Sequence, residues 1–382
     1  MKILIVTGIF PPDIGGPASY VPSIAEALKE RGHSLQIITL SDSVCQHDDI
    51  YSFPVVRIPR SSFRPNRVLK TVLKIIELGR NADLLFVHGL ALEAVLANFI
   101  IKKPLVQKVV GDLAWERART FEGIKETIDV FQDKKYGIRI ETVKRLRKYW
   151  VRKSSMIITP SSYLKKIVLG WGVNAEKIKV IYNAVDPGGA GEGSVSEELS
   201  SFALNKKKIV SVGRLVSWKG FEGLIHAVAD IPDICLIIIG EGPERGDLEK
   251  LIKEKNLNEK VKLMGTRPRD AVFSCLKFSD LFVLNSSYEG LPHIVLEAML
   301  VFVPVIATDT GGTGELVKNE YNGLLVQPGD REGLKNSINR LIHDNVLQKK
   351  LVKNGEETVG KFNWEKLVNE TETILLQSIK GL

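Results

Sequence analysis

Short apolar, β-branched runs alternate with amphipathic stretches along the whole chain, a pattern that predicts parallel strands separated by helices. A first series of strands runs through Ile3–Val6, Ser34–Leu40, Asp83–Val87, Leu105–Val110, Met156–Thr159 and Val180–Tyr182. A second restarts at Ile209–Val212 and continues through Ile234–Ile239, Val261–Met264, Leu281–Leu284, Val305–Ala307 and Gly323–Val326. Helical patterns lie between them, among them Ala18–Arg31, closed by Gly32, then Phe221–Asp230 and His293–Leu300. The stretch from Asp186 to Asn205 is rich in Gly, Ser and Glu and lacks apolar periodicity, so it reads as a linker. The expectation is an α/β chain of two doubly wound domains, 1–184 and 207–360, joined at 185–206 and followed by a last helical segment, 361–382. A ligand cleft is expected at the carboxyl ends of the strands.

Composition narrows the class. At 382 residues, 44% hydrophobic and 26% charged, the chain is long enough for two cores and has the balance of a globular protein. Cys45, Cys235 and Cys275 lie far apart and show no metal-binding spacing, which predicts neither a disulfide framework nor a metal site and suits a reducing, cytoplasmic setting. The most apolar stretch, Leu84–Ile101, is broken by His88, Glu93 and Asn98 and reads as strand, turn and buried helix rather than a membrane span. The opening MKILIV reads as a first strand rather than a signal peptide, because Pro11, Pro12, Gly15 and Gly16 follow it.

Charge is uneven. Up to Ala184 there are 29 Lys and Arg against 17 Asp and Glu, while the remainder carries 24 against 28. Nine basic residues face one acid between Lys134 and Lys153, with Tyr136, Tyr149 and Trp150 interleaved, and a second basic cluster spans Arg60–Lys74. A solvated helix face or a surface for an anionic partner both fit. Acidic lipid head groups or a phosphorylated acceptor suit the pattern better than nucleic acid, for which no recognition motif accompanies the charge.

Three segments carry candidate chemistry. In TGIFPPDIGGPASY, Gly15 and Gly16 allow close backbone approach to a ligand just before a helix N-terminus, although a plain turn uses the same residues. The order GxGxxG of dinucleotide sites is missing. In VGRLVSWKGFEGL, Arg214 and Lys219 sit on one strand-to-helix loop, where they either grip one diphosphate or serve as two surface cations. In NSSYEGLPHIVLEAM, Pro292 suits a helix start, so the N–H groups of Gly290, Leu291 and His293 are expected to face an anion. Glu289 precedes that helix, and Glu297 lies on the same helical face as His293. A Glu at a helix start opposes the dipole for about 0.3–1 kcal/mol, which explains either residue alone but not both at this spacing.

The Glu289–Glu297 pair, GRLVSWKG, the GEGP at Gly240–Pro243, the Gly15–Gly16 loop and the TGGTGELV after Asp309 together resemble the retaining glycosyltransferases of family 4, which have the GT-B fold. The likeness spans nearly the whole chain with order and spacing kept. It implies that Arg214 and Lys219 hold a nucleotide diphosphate, that Glu297 bonds the ribose, and that Glu289 lies near the donor sugar. It also implies that Gly290, Leu291 and His293 contact sugar and phosphate, that Gly16 closes over the diphosphate from the other domain, and that Glu241, Thr266 and Arg267 line the base. The segment FNWEKLVNETETILL resembles the family's C-terminal helix that crosses back to the first domain. One departure stands out: members often carry a histidine where this chain has Val110, which leaves Asp112 and Glu116 as candidates for sugar or acceptor contact. His88, in FVHGL, matches another family histidine position, though a structural turn histidine fits equally.

Departure of a diphosphate leaves negative charge on phosphate and positive charge at the anomeric carbon, and Arg214, Lys219 and a helix N-terminus can neutralise the first without a metal. The implied reaction is retaining, metal-independent transfer of a sugar, a hexose by expectation, from a UDP- or GDP-sugar to a hydroxyl acceptor, lipid-linked or glycan. Such chemistry serves assembly of an envelope polysaccharide or glycolipid, in the cytoplasm and peripherally at the inner face of the plasma membrane. No cofactor beyond the donor substrate is expected. Rival readings are a glycoside hydrolase, for which two carboxylates are the working parts, an NAD-dependent dehydrogenase, and a non-catalytic nucleotide-sugar-binding protein.

Overall fold

A computed structural model describes residues 1–13, 15–42, 48–185 and 195–380, and within it the chain divides into two compact units. Cys45 and most of the glycine-rich stretch after Asp186 lie outside the described residues.

Unit 1 comprises residues 1–182 together with the chain from Glu365 onward. Its elements are β1 (Lys2–Val6), α1 (Gly16–Glu30), β2 (Ser34–Ser41), β3 (Val55–Pro59), α2 (Arg64–Gly79), β4 (Leu84–Val87), α3 (Ala91–Ile101), β5 (Leu105–Lys108), α4 (Leu113–Glu122), α5 (Ile128–Asp133), α6 (Ile138–Arg152), β6 (Met156–Thr159), α7 (Ser162–Leu169) and β7 (Ile178–Val180). The strands form one sheet in the order β3-β2-β1-β4-β5-β6-β7, every neighbouring pair parallel. Strands buried on both faces by helices must be apolar throughout, and LLFV of β4 is buried at all four positions. Two features depart from the expected series. β3 was not anticipated, and the last strand lies two residues earlier than Val180–Tyr182.

Unit 2, residues 183–364, contains α8 (Glu197–Phe202), β8 (Lys207–Val212), α9 (Phe221–Val228), β9 (Ile234–Ile239), α10 (Arg245–Glu254), β10 (Val261–Leu263), α11 (Arg269–Phe278), β11 (Leu281–Leu284), α12 (His293–Leu300), β12 (Val305–Thr308), α13 (Thr313–Leu316), β13 (Leu324–Val326), α14 (Arg331–His343) and α15 (Asn345–Lys361). α8 forms inside the stretch read as linker, where the Ser196 side chain caps it by accepting from Leu199 N–H. The sheet runs β10-β9-β8-β11-β12-β13, again all parallel.

In both sheets the strand order reverses beside the first strand, between β1 and β4 and between β8 and β11. Loops at the carboxyl ends of strands diverge there, and open α/β sheets place ligands at that point. The final helix, α16 (Trp364–Lys380), packs within unit 1, where Glu372 takes Arg31 at 2.6 Å and His33 at 2.7 Å.

Candidate functional site

The carboxyl edge of the unit 2 sheet gathers most of the singled-out residues, because all its strands point the same way. Arg214 and Lys219 follow β8, Glu241 follows β9, Thr266 and Arg267 follow β10, and Glu289–Leu291 follow β11 and lead into α12. Backbone contacts then fix these loops to one another. Asn285 Nδ2 donates to Gly220 O at 2.8 Å, and Ser287 N–H to Trp218 O at 2.7 Å, so the loop carrying Lys219 is clamped onto the loop carrying Glu289. Gly220 sits at φ +66°, and a Cβ there would come within 2.1 Å of Asn285 O.

The result is a direct ion pair. Lys219 Nζ donates to Glu289 Oε1 at 2.6 Å, with Glu289 buried to 8% exposure. Neither charge is stranded, as burial of a carboxylate requires. The Glu289 carbonyl is held in turn by Gly312 N–H at 2.9 Å, and Gly311, at φ +56°, packs so close that a Cβ would fall 2.0 Å from that oxygen. Arg214 is exposed on the Lys219 loop and forms no ion pair among the described residues.

Glu297, on α12, pairs with Arg269 at the start of α11 at 3.5 Å. Burial pushes its carboxyl above the usual range, an effect that Arg269 partly offsets. Arg269 thus links Glu297 to the loop bearing Thr266 and Arg267, both exposed. Sequence reasoning missed Arg269; its place two residues after Arg267 was the available signal. Glu241 pairs with Arg245. Gly290 and Leu291 are buried and His293 is half-buried at the first turn of α12. Leu291 O accepts from Asn183 Nδ2 at 3.4 Å.

The remaining residues belong to unit 1. Gly15, at φ +148°, and Gly16 begin α1, with open space where either Cβ would sit apart from the adjacent Pro17 ring. Asp112 corrects an expectation. It is wholly buried at the N-terminus of α4; Oδ1 accepts from Ala114 and Trp115 N–H, and Oδ2 from Gln132 and Arg147. Its acceptor capacity is spent inside the protein and none of its surface is accessible, so it is a structural anchor rather than a sugar contact. Val110, at the place where the resemblance led us to look for histidine, is 46% exposed.

His88 is buried against Phe86 and Tyr20, ring centroids 4.1 and 5.3 Å away. Burial, reinforced by Lys108, holds its imidazole well below the usual pKa, and Nε2 has no hydrogen-bond partner among the described residues. Lys108, missed by the sequence reading, ends β5 with its Nζ 3.4 Å from the Tyr20 ring centroid and no hydrogen-bond partner among the described residues. Burial pushes its ammonium down to about 7. A lysine ending the apolar run LVQK was the signal.

Comparison with known proteins gives the family and the fold. The model for glycosyl transferases group 1 matches residues 197–358, and that for Glycosyltransferase Family 4 matches residues 14–188. An uncharacterized glycosyltransferase of Methanocaldococcus jannaschii, MJ1607, is 28% identical over 98% of this chain and 97% of its own length. The lipopolysaccharide core biosynthesis glycosyltransferase LpsE of Rhizobium meliloti is 36% identical over 42% of this chain and 47% of its own. Among solved structures, Anabaena HepE in complex with UDP and glucose aligns with a TM-score of 0.82 over 99% of this chain and 100% of that one, at 23% identity. Its fold is therefore the GT-B type, and the chain belongs to the glycosyltransferases described by the group 1 and Family 4 models.

Proposed function

We propose that the chain transfers a hexose, with retention, from a UDP- or GDP-sugar to a hydroxyl of a lipid-linked or glycan acceptor in envelope polysaccharide or glycolipid assembly. The observation that carries this is the clamped loop pair of unit 2, which sets Lys219 on Glu289 with Arg214 exposed beside them. Arg214 and Lys219 grip the donor diphosphate, the first turn of α12 adds N–H groups to it, and Glu297 holds the ribose. Glu289 fixes Lys219 and orients the sugar. Glu241, Thr266 and Arg267 border the base. His88 lines the acceptor side.

In the chemical step the bond from the anomeric carbon to the diphosphate oxygen breaks and a bond to the acceptor oxygen forms on the same face. The acceptor proton passes to the leaving diphosphate. Two cations and a helix terminus stabilise the charge that develops there, so no metal is required. HepE's complex with UDP and glucose, on the same fold, and LpsE's role in lipopolysaccharide core biosynthesis support this reading. On this reading the enzyme works in the cytoplasm, in peripheral contact with an anionic membrane.

Glu289→Ala tests it. Incubated with UDP- and GDP-sugars, wild-type protein is expected to release nucleoside diphosphate in an acceptor-stimulated reaction. The variant should lose about 100-fold or more of that rate while nucleotide sugar still raises its melting temperature. Hydrolysis of aryl glycosides without any nucleotide sugar would instead establish a glycosidase, and unchanged turnover in the variant would refute the assignment.

A further inference from the structure

Two of the nine cations in the basic segment 134–153 turn inward. Lys144 turns inward to the carbonyls of Phe131 and Lys134, at 3.0 and 2.8 Å, and Arg147 turns in to Asp112. Trp150 packs on the core of unit 1, and Tyr136 packs against Phe131. In the second cluster, Arg60 is neutralised by Asp13 and Asp42, each at 2.6 Å. These three cations are therefore engaged within the protein, while Lys134, Lys135, Arg139, Arg145, Arg152 and Lys153 stay exposed.

A different face stands out. α2 and α3 pack side by side, and a groove between them is lined by Arg64, Pro65, Val68, Leu69, Val72 and Leu96. Beyond its rim Phe63 is 72% exposed, Leu73 56% and Ile100 60%. Leu69 and Leu73 fall four apart on α2, and Leu96, Phe99 and Ile100 fall three and four apart on α3, so each helix turns an apolar edge to solvent. Large side chains are rarely left contiguous in water without a partner.

Charge identifies the partner. α2 carries Arg64, Arg67, Lys70 and Lys74 against a single acid, Glu77, which Lys74 already pairs at 2.7 Å. The one acid of α3, Glu93, is buried, and Lys102 and Lys103 follow that helix. Lys70 is three residues from Leu73 and hence beside it on the helix surface. Lys153 lies over both Phe99 and Tyr149, at 5.8 and 5.3 Å from the ring centroids, and so extends the cationic border to the end of α6. Protein interfaces are depleted in lysine. Aliphatic and aromatic side chains bordered by long basic ones are instead the make-up of helices that lie in a bilayer interface, apolar groups below the head groups and amines among the phosphates.

We propose that the α2–α3 face is a docking surface for an anionic phospholipid bilayer, with Phe63, Leu69, Leu73, Leu96, Phe99 and Ile100 entering the interface and Arg64, Lys70 and Lys153 pairing with lipid phosphates. It deepens the reading of a lipid-linked acceptor, which such docking would bring to the enzyme, but the surface is tested without donor or acceptor. The 382-residue chain is sedimented with vesicles of phosphatidylcholine alone or mixed equally with phosphatidylglycerol. Binding is expected to the mixed vesicles only, and to weaken about tenfold or more when salt is raised from about 0.05 to 0.5 M. The double variant Leu69→Asp/Phe99→Asp and, separately, Lys70→Glu should each weaken it about tenfold. Because these side chains are exposed, melting temperature and its rise with nucleotide sugar should be unchanged in every variant, which separates a failure of docking from a failure of the donor assignment. The proposal is overturned if wild type ignores anionic vesicles or if the double variant binds them equally well. It is equally overturned if sedimentation velocity shows a dimer that the double variant dissociates while lipid binding is absent.

Discussion

Two buried carboxylates show how little a residue's type says about its work. Asp112 and Glu289 both follow strands at the carboxyl edge of a parallel sheet, yet one is enclosed by Arg147, Gln132 and two N–H groups while the other meets a single lysine. Arg147 lies 35 residues from Asp112, and nothing local to Asp112 announces it. That is why the Asp112 environment was not legible from sequence; Lys219 and Glu289 were singled out in two glycine-bearing loops, but their pairing across 70 positions was not foreseen. Replacing Asp112 by Asn leaves Arg147 buried without its counter-charge, and we expect a loss of about 3–5 kcal/mol in unfolding free energy, read by urea denaturation. Lys108 gives the opposite sign. Its native pKa, about 7, lies below the unfolded value of 10.5, so the unfolded chain binds more protons between those limits and stability rises with pH across that window. Lys108→Met removes the amine, and should stabilise the protein at pH 7 by on the order of a few kcal/mol, a gain that shrinks steadily toward pH 10 in parallel melts.

At the scale of elements, strands buried on both faces were legible because an uninterrupted apolar run of four to six residues has few other uses. β3 escaped notice because VVRIP lies at the sheet edge between Pro54 and Pro59, only partly buried, where an edge strand can carry Arg and Pro. α8 escaped because six residues are too few to show a helical period. Loop-to-loop contacts were the least legible feature, since each depends on two segments far apart in sequence. Gly311 illustrates this: its role is to let the β12 loop reach the Glu289 carbonyl. Gly311→Ala, strained at φ +56° and sterically blocked, should displace Glu289 and lower sugar transfer about 100-fold or more. Retention of wild-type rates would show that this loop contact does not position Glu289.

Across the whole molecule, the two sheets share the order of their first six strands, unit 1 adding a seventh, and the chemistry differs because the loops do. Unit 2 collects its cations and carboxylates at the strand reversal beside β8, while unit 1 buries a lysine and a histidine at the ends of β5 and β4 and carries an apolar, cation-bordered helical face. No helix among the described residues is long and apolar enough to cross a membrane. On the proposed reading, unit 2 binds a nucleoside diphosphate through Arg214 and Lys219. Calorimetric titration of UDP and of GDP into the full chain tests it most directly: one of the two should bind, and Arg214→Ala/Lys219→Ala should weaken it by about 100-fold or more, each charged contact contributing roughly 1.5–3 kcal/mol. If neither nucleotide binds, or the double variant binds as tightly as wild type, Arg214 and Lys219 do not form a diphosphate site.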